Sequence, residues 1–160
     1  MAGRPDNLIE TFTPDRFAMN VVSGRGDARD VLCRLCALLR GSGCAPALVD
    51  DGIIALAEVL NNIEEHAYSG DVGRPMRVEV RISGHALDCT VDDWGAPLPA
   101  GGLPGADMPS VDLMAPDSWP EGGFGWAMVR RLTQELTYER AAGCNRLRFR
   151  VVAAVPVGIG

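Results

Sequence analysis

Two side chains of complementary chemistry, Glu58 and Asn62, stand four positions apart in the run Glu58-Val59-Leu60-Asn61-Asn62. On a helix that spacing puts them on one face, one turn apart. A carboxylate can orient or deprotonate an attacking group. An Asn side-chain oxygen is a hard neutral ligand acceptable to magnesium, which needs few protein ligands when phosphate oxygens complete its shell. The pair therefore suits metal-assisted phosphoryl transfer. Alone it is equally the ordinary solvated polar face of a helix, so the surrounding elements have to decide.

The helix itself is predicted from Ala47 to about Tyr68, ended by Ser69-Gly70. Ile53, Leu56, Ala57, Leu60, Ile63 and Ala67 recur at helical spacing and give it an apolar face for a core. Ahead of it, Phe17, Met19 and Val21 share one side of a predicted strand over residues 16–22. A turn at Ser23–Asp27 leads from that strand into a helix over Ala28–Leu39, stopped by Gly41-Ser42-Gly43. After the long helix, Met76, Val78, Val80 and Ile82 alternate with Arg77, Glu79 and Arg81, and Ser83-Gly84-His85 turns the chain. Leu87, Cys89 and Val91 form the apolar side of the returning strand, and Asp93 continues their parity. Because side-chain direction repeats every two residues, Asp93 points with the core-facing row. An acid there is costly unless paired or in contact with a ligand. The alternative is that the strand has ended and Asp93 caps a turn with Gly95.

Ala96 to Glu121 holds six of the eleven prolines, three glycines and only acidic charges, with neither helical nor strand periodicity. A loop of that length is a lid over a site or a loose insertion. Gly122-Gly123-Phe124-Gly125 then opens a helix predicted over Trp126–Gln134 that carries Arg130 and Arg131. Glycines ahead of a helix N-terminus let free amides and the helix dipole approach an anion. Strands over Glu135–Arg140 and Arg146–Val152 close the chain, with Leu147, Phe149 and Val151 opposite Arg146, Arg148 and Arg150. Strands with one apolar and one charged face belong to an antiparallel or mixed sheet covered by helices on one side.

Composition bounds the rest. At 160 residues the chain is expected to form one domain. Residues 1–15 read as a loose lead-in and 153–160 as a tail. Net charge is −6 and all 15 basic residues are arginine, which argues against nucleic acid as a partner and leaves no lysine to bind phosphate. Five scattered cysteines lack a zinc-binding pattern and read as buried structural thiols of a reducing compartment. No apolar run reaches membrane-spanning length and the first residues lack a signal-peptide core, so a cytoplasmic location without membrane contact is expected.

In this order, Glu58-x-x-x-Asn62 on a helix, Asp93-x-Gly95 after a hairpin strand and Gly123-x-Gly125 after a lid resemble the N, G1 and G2 boxes of the GHKL ATPases. The match is closest to the bacterial anti-sigma-factor serine/threonine kinases. Asn62-x-x-x-His66-Ala67-Tyr68 is similar to theirs, as is Tyr138-Glu139-Arg140-x-x-Gly143-x-Asn145-Arg146-Leu147. The resemblance spans residues 16–152 and implies an α/β (α+β) two-layer sandwich of the Bergerat type, with a mixed, mostly antiparallel sheet and a lid at about 96–121. It implies ATP and Mg²⁺ as cofactors. Asn62 would ligate the metal, Glu58 would act as the base, and Asp93 would accept from the adenine amino group. Gly95, Gly123, Phe124 and Gly125 would line the nucleotide. The implied partners are an anti-anti-sigma (STAS-type) protein as substrate, a sigma factor or similar regulator to sequester, and a second copy of the chain. Two other functions fit the same boxes: an ATP-dependent partner-switching module without transfer, and the detached catalytic half of a histidine-kinase relay. Glu64 departs from the family, falling near the apolar stripe where an apolar residue is usual.

Overall fold

Alternation with a period of two runs through the central strands and sorts their side chains onto two unlike faces. The computed structural model describes residues 11–24, 26–104 and 124–153. In chain order these form β1 (Thr11–Thr13), β2 (Arg16–Val22), α1 (Asp27–Gly41), α2 (Pro46–Asn62), β3 (Pro75–Ser83), β4 (Ala86–Asp93), α3 (Phe124–Leu132), β5 (Gln134–Ala141) and β6 (Cys144–Val152). The strands make one six-stranded sheet in the order β1-β2-β3-β4-β6-β5. Every pairing among them is antiparallel, so the mixed sheet expected from sequence has no parallel pair among the described residues.

One face of the sheet buries Phe17, Met19, Val21, Met76, Val78, Val80, Leu87, Cys89, Val91, Leu147, Phe149 and Val151. Val31, Leu35 and Leu39 of α1, Leu48, Leu56, Val59 and Leu60 of α2, and Val129 of α3 complete that core. The other face is a lattice of ion pairs. Arg16 grips Glu79 at 2.9 Å through two nitrogens, and Arg146 grips Asp92 at 2.7 and 2.8 Å. Arg150 meets Asp88 at 2.6 Å and Arg148 meets Glu139 at 2.9 Å. Apart from Arg146–Asp92, whose carboxylate is buried, such exposed pairs contribute about 0–1 kcal/mol each. They decide which face stays wet, and the apolar face supplies the stability. The outcome is the expected two-layer α+β sandwich with helices on one side. Leu56, 1 % exposed, tests it. Leu56→Ala should cost about 2–5 kcal/mol, seen as a lower urea midpoint at unchanged slope.

Three details differ from the sequence reading. Thr11–Thr13, assigned to the lead-in, pairs with β2 as a short edge strand. The long helix is regular only to Asn62 and then widens into one π-helical turn, Ile63–Ala67. There Tyr68 N–H donates to the Ile63 carbonyl at 2.9 Å and Gly70 N–H to the Glu64 carbonyl at 2.8 Å. The wider turn takes Glu64 out of the stripe, and its carboxylate accepts from Gly24 N–H at 3.0 Å. Finally, of the five thiols only Cys89 is buried, while Cys33 is exposed on α1 and Cys36, Cys44 and Cys144 are partly so. Residues 1–10, 25, 105–123 and 154–160, which include most of the predicted lid, lie outside the described residues.

Candidate active site

Helix α2 presents Glu58 and Asn62 on one face, as their spacing requires, and α3 packs across them at Gly125. A Cβ built on Gly125 would lie 2.8 Å from Glu58 Oε2, 3.4 Å from Asn62 Nδ2 and 3.5 Å from Asn62 Oδ1. A larger residue at that crossing would press on the Glu58 carboxylate and make it shift. Asn62 Nδ2 is buried and has no hydrogen-bond partner among the described residues. A buried amide is rarely left unsatisfied, and leaving it so costs about 1–3 kcal/mol. Rotation about Cβ–Cγ exchanges the two ends of the amide, so the position can offer a donor to a phosphate oxygen or an oxygen to a divalent cation.

Asp93 ends β4 with its side chain directed inward, only 5 % exposed. It also caps the turn that follows, since Oδ1 accepts from Gly95 N–H at 2.9 Å. The strand has therefore not ended before Asp93, as one alternative required, yet the residue points inward and caps the following turn as well. Oδ1 accepts a second bond from Asn145 Nδ2 at 2.8 Å. Burial pushes the Asp93 carboxyl above its ordinary range, while the Asn145 and Gly95 bonds and the charge of Arg140 pull it back. Around it, Tyr138 OH donates to Asn145 Oδ1 at 2.8 Å and Arg140 donates to the same oxygen.

Between these groups lies a cleft of about 120 Å³ lined by Asn62, Ala67, Asp93, Leu98, Trp126 and Tyr138, among others. Its floor at Ala67 belongs to the π-helical turn, a feature frequent at functional sites. Gly95 closes one edge. Its Cβ would fall 2.5 Å from the Ala67 carbonyl oxygen, and the next amide, Ala96 N–H, donates to that oxygen at 2.8 Å. Gly95→Ala should therefore push residues 95–98 off the π turn and lower the melting temperature, measured in a thermal melt.

The first part of the predicted lid is fastened. Asn145 Nδ2 reaches the Ala96 carbonyl at 3.0 Å, Leu98 N–H donates to Tyr138 OH at 3.1 Å, and Arg130 holds the Pro104 carbonyl at 2.7 and 3.0 Å. Of the two arginines on α3, Arg130 therefore faces this segment and Arg131 is exposed. The His66 side chain is 68 % exposed and lines the cleft mouth.

The structure thus brings Glu58, Asn62 and Gly125 together at one end and sets Asp93 and Gly95 across the cleft from Asn62. Phe124 is the first residue of α3, and Gly123 lies outside the described residues. Tyr138, Asn145, Trp126 and Arg130 were not singled out as site residues by the sequence. Tyr138 and Asn145 stand in a segment resembling the anti-sigma kinases, but their role depends on β6 lying beside β4. No group of three or more acidic, His or Cys side chains suited to holding a metal occurs among the described residues. Any magnesium here would be held by Asn62 together with phosphate oxygens, with the amide turned so that its oxygen takes the place of the unpartnered Nδ2.

A family model described as the histidine kinase-like ATPase domain matches residues 25–151. No curated protein matches the chain. Among solved structures, the RsbU and RsbW domains of Rv1364c from Mycobacterium tuberculosis superpose with a TM-score of 0.60 at 20 % identity, covering 86 % of this chain. The chain spans only 32 % of that protein's length, so the likeness is one of fold. With a matching family model over most of its length, a two-layer sandwich and an inward carboxylate facing the central helix across a cleft, the chain belongs to the histidine kinase-like ATPase domain family, the GHKL ATPases.

Proposed function

We propose that the protein is an ATP-dependent regulatory serine/threonine kinase of the anti-sigma-factor type. It would bind MgATP between α2 and the segment 95–104 and transfer the γ-phosphoryl group to a hydroxyl of a small antagonist protein. It would alternately hold a sigma factor or similar regulator. The observation that carries the reading is the buried, unpartnered Asn62 amide one helical turn from the Glu58 carboxylate.

In this reading Asp93 accepts from the adenine amino group and repels guanine, which presents an acceptor at that place. Asn62 holds the divalent ion, which supplies charge neutralisation for the phosphates when bound. The N-terminal amides of α3 and its dipole meet the triphosphate where no lysine is available. Glu58 orients the acceptor hydroxyl and takes its proton. The substrate class rests on the sequence resemblance and on the fold shared with the RsbU–RsbW protein. No helix of the described residues is long and apolar enough to cross a membrane.

The test is incubation of the chain with radiolabelled ATP, magnesium and STAS-type proteins encoded beside it. Label on a serine or threonine of one of them supports the kinase. ATP binding without any labelled protein would favour the switch without transfer. Asn62→Ala should abolish the dependence of nucleotide affinity on magnesium, and an unchanged magnesium titration removes Asn62 from the site.

A further inference from the structure

Asn145 is 3 % exposed and each of its hydrogen-bonding positions is used. Its oxygen accepts from Tyr138 and Arg140. Its nitrogen donates to Asp93 Oδ1 and to the Ala96 carbonyl, with the Gly95 carbonyl at 3.4 Å sharing the second proton. The amide can sit only one way round. Reversed, its oxygen would face a carboxylate and two carbonyls, and its NH₂ would face a guanidinium. Arg140 is itself tied to the segment through the Gly95 carbonyl at 3.0 Å, and Tyr138 through Leu98 N–H at 3.1 Å.

This arrangement has a consequence at Asp93. Both the Gly95 and Asn145 donors go to Oδ1, and among the described residues no hydrogen bond is directed to Oδ2. Asp93 lines the cleft, so Oδ2 is the oxygen left to accept from a ligand. The side chains that choose this oxygen are the ones that fasten residues 95–98.

We propose that Asn145, locked by Tyr138 and Arg140, is a positioning residue that couples base recognition at Asp93 to residues 95–98, whose Ala96 to Leu98 line the cleft. The inference rests on the nucleotide reading given above. A base donating to Asp93 tightens the same network that holds Gly95, Ala96 and Leu98. Loss of the network loosens both together.

Asn145→Asp separates this role from simple packing, because the new side chain has the same shape and keeps its partners Tyr138 and Arg140. Its second oxygen then faces Asp93 Oδ1, and the two carboxylates hold their places only while they share a proton. The other titratable groups around the pair are Tyr138, Arg140, Asp92 (paired with Arg146), Tyr68, Cys144 and, at the cleft mouth, His66. All are present in both proteins, so comparison with the wild type isolates the new pair. MgATP affinity is measured by calorimetry from about pH 6 to 9, with circular dichroism at each pH. As pH rises and the shared proton leaves, the variant should lose at least about tenfold more affinity than the wild type does over the same range. Parallel curves in the two proteins overturn the inference and leave the nucleotide reading standing. A wild type that binds no MgATP overturns the nucleotide reading itself.

Tyr138→Phe carries the test if the first variant does not fold. It removes only the hydroxyl that links Leu98 to Asn145. In the wild type, MgATP should slow hydrogen exchange at the Ala96 amide, whose acceptor is the Ala67 carbonyl. In Tyr138→Phe most of that slowing should vanish, and slowing equal to the wild type's overturns the coupling.

Discussion

Glu58→Gln should abolish phosphoryl transfer while leaving MgATP bound. Positioned general-base catalysis is worth about 10²–10⁴-fold, so turnover should fall by that factor. Glutamine keeps the shape that packs beside Gly125, where Glu58 Oε2 lies within 2.8 Å of the position a Cβ would take. Glu58 is one turn from Asn62 and is not part of the lining of the cleft beside Asp93. Nucleotide affinity should therefore change by no more than about twofold, the signature of a group used in the transition state rather than in binding. Losing the negative charge near the N-terminus of α3 should cost at most about 0.3–1 kcal/mol of stability. Phosphotransfer by Glu58→Gln at the wild-type rate would remove Glu58 from the chemistry. Lost ATP binding would instead assign it to the nucleotide site.

Asp93→Asn should separate stability from recognition. The carboxyl of Asp93 is held above its ordinary range chiefly by burial. The sign follows from linkage: a group whose pKa is raised on folding binds its proton more tightly in the folded state. Its contribution to stability is greatest below the unfolded-state pKa and is lost as pH rises through the folded-state pKa. At neutral pH the wild type therefore carries the cost of a buried charge, and the amide variant does not. The amide oxygen introduced by the substitution can still accept from Gly95 N–H and Asn145 Nδ2. The melting temperature at pH 7 should hold or rise, and the pH dependence between the two pKa values should flatten.

Binding should go the other way. The variant side chain would present NH₂ where adenine also presents NH₂. A hydrogen bond to a charged group is worth about 1.5–3 kcal/mol, so ATP affinity should drop by about 10–100-fold. Inosine triphosphate, which presents an acceptor at that position, should regain part of the loss. Undiminished ATP affinity in a folded Asp93→Asn protein would show that the base does not meet this carboxylate.

Much of this architecture could be read from the chain directly. The strands at 16–22, 75–83, 86–93 and 144–152 follow from strict alternation, because a half-buried sheet must repeat with period two. The apolar face of α2 and the stacking of Glu58 over Asn62 follow from helical geometry. The inward direction of Asp93 follows from parity with Leu87, Cys89 and Val91. Less legible was Glu64, whose place looked wrong for a regular helix. A π turn depends on where the chain beyond it must go, here to bring Glu64 to Gly24 N–H. His66 reached the cleft mouth through the same turn.

The sequence by itself determined the polar pair, the parity of Asp93 and the two-faced sheet, because each depends on residues a few positions apart. Tertiary structure alone decided that Asn145 stands opposite Asp93, since strand order places β6 beside β4 across 52 positions of chain. It also decided that Arg130 meets Pro104 and that Gly125 crosses the Glu58–Asn62 face. Alternation tells which side chains share a face, but which distant strand becomes the neighbour is settled only when helices and sheet pack together.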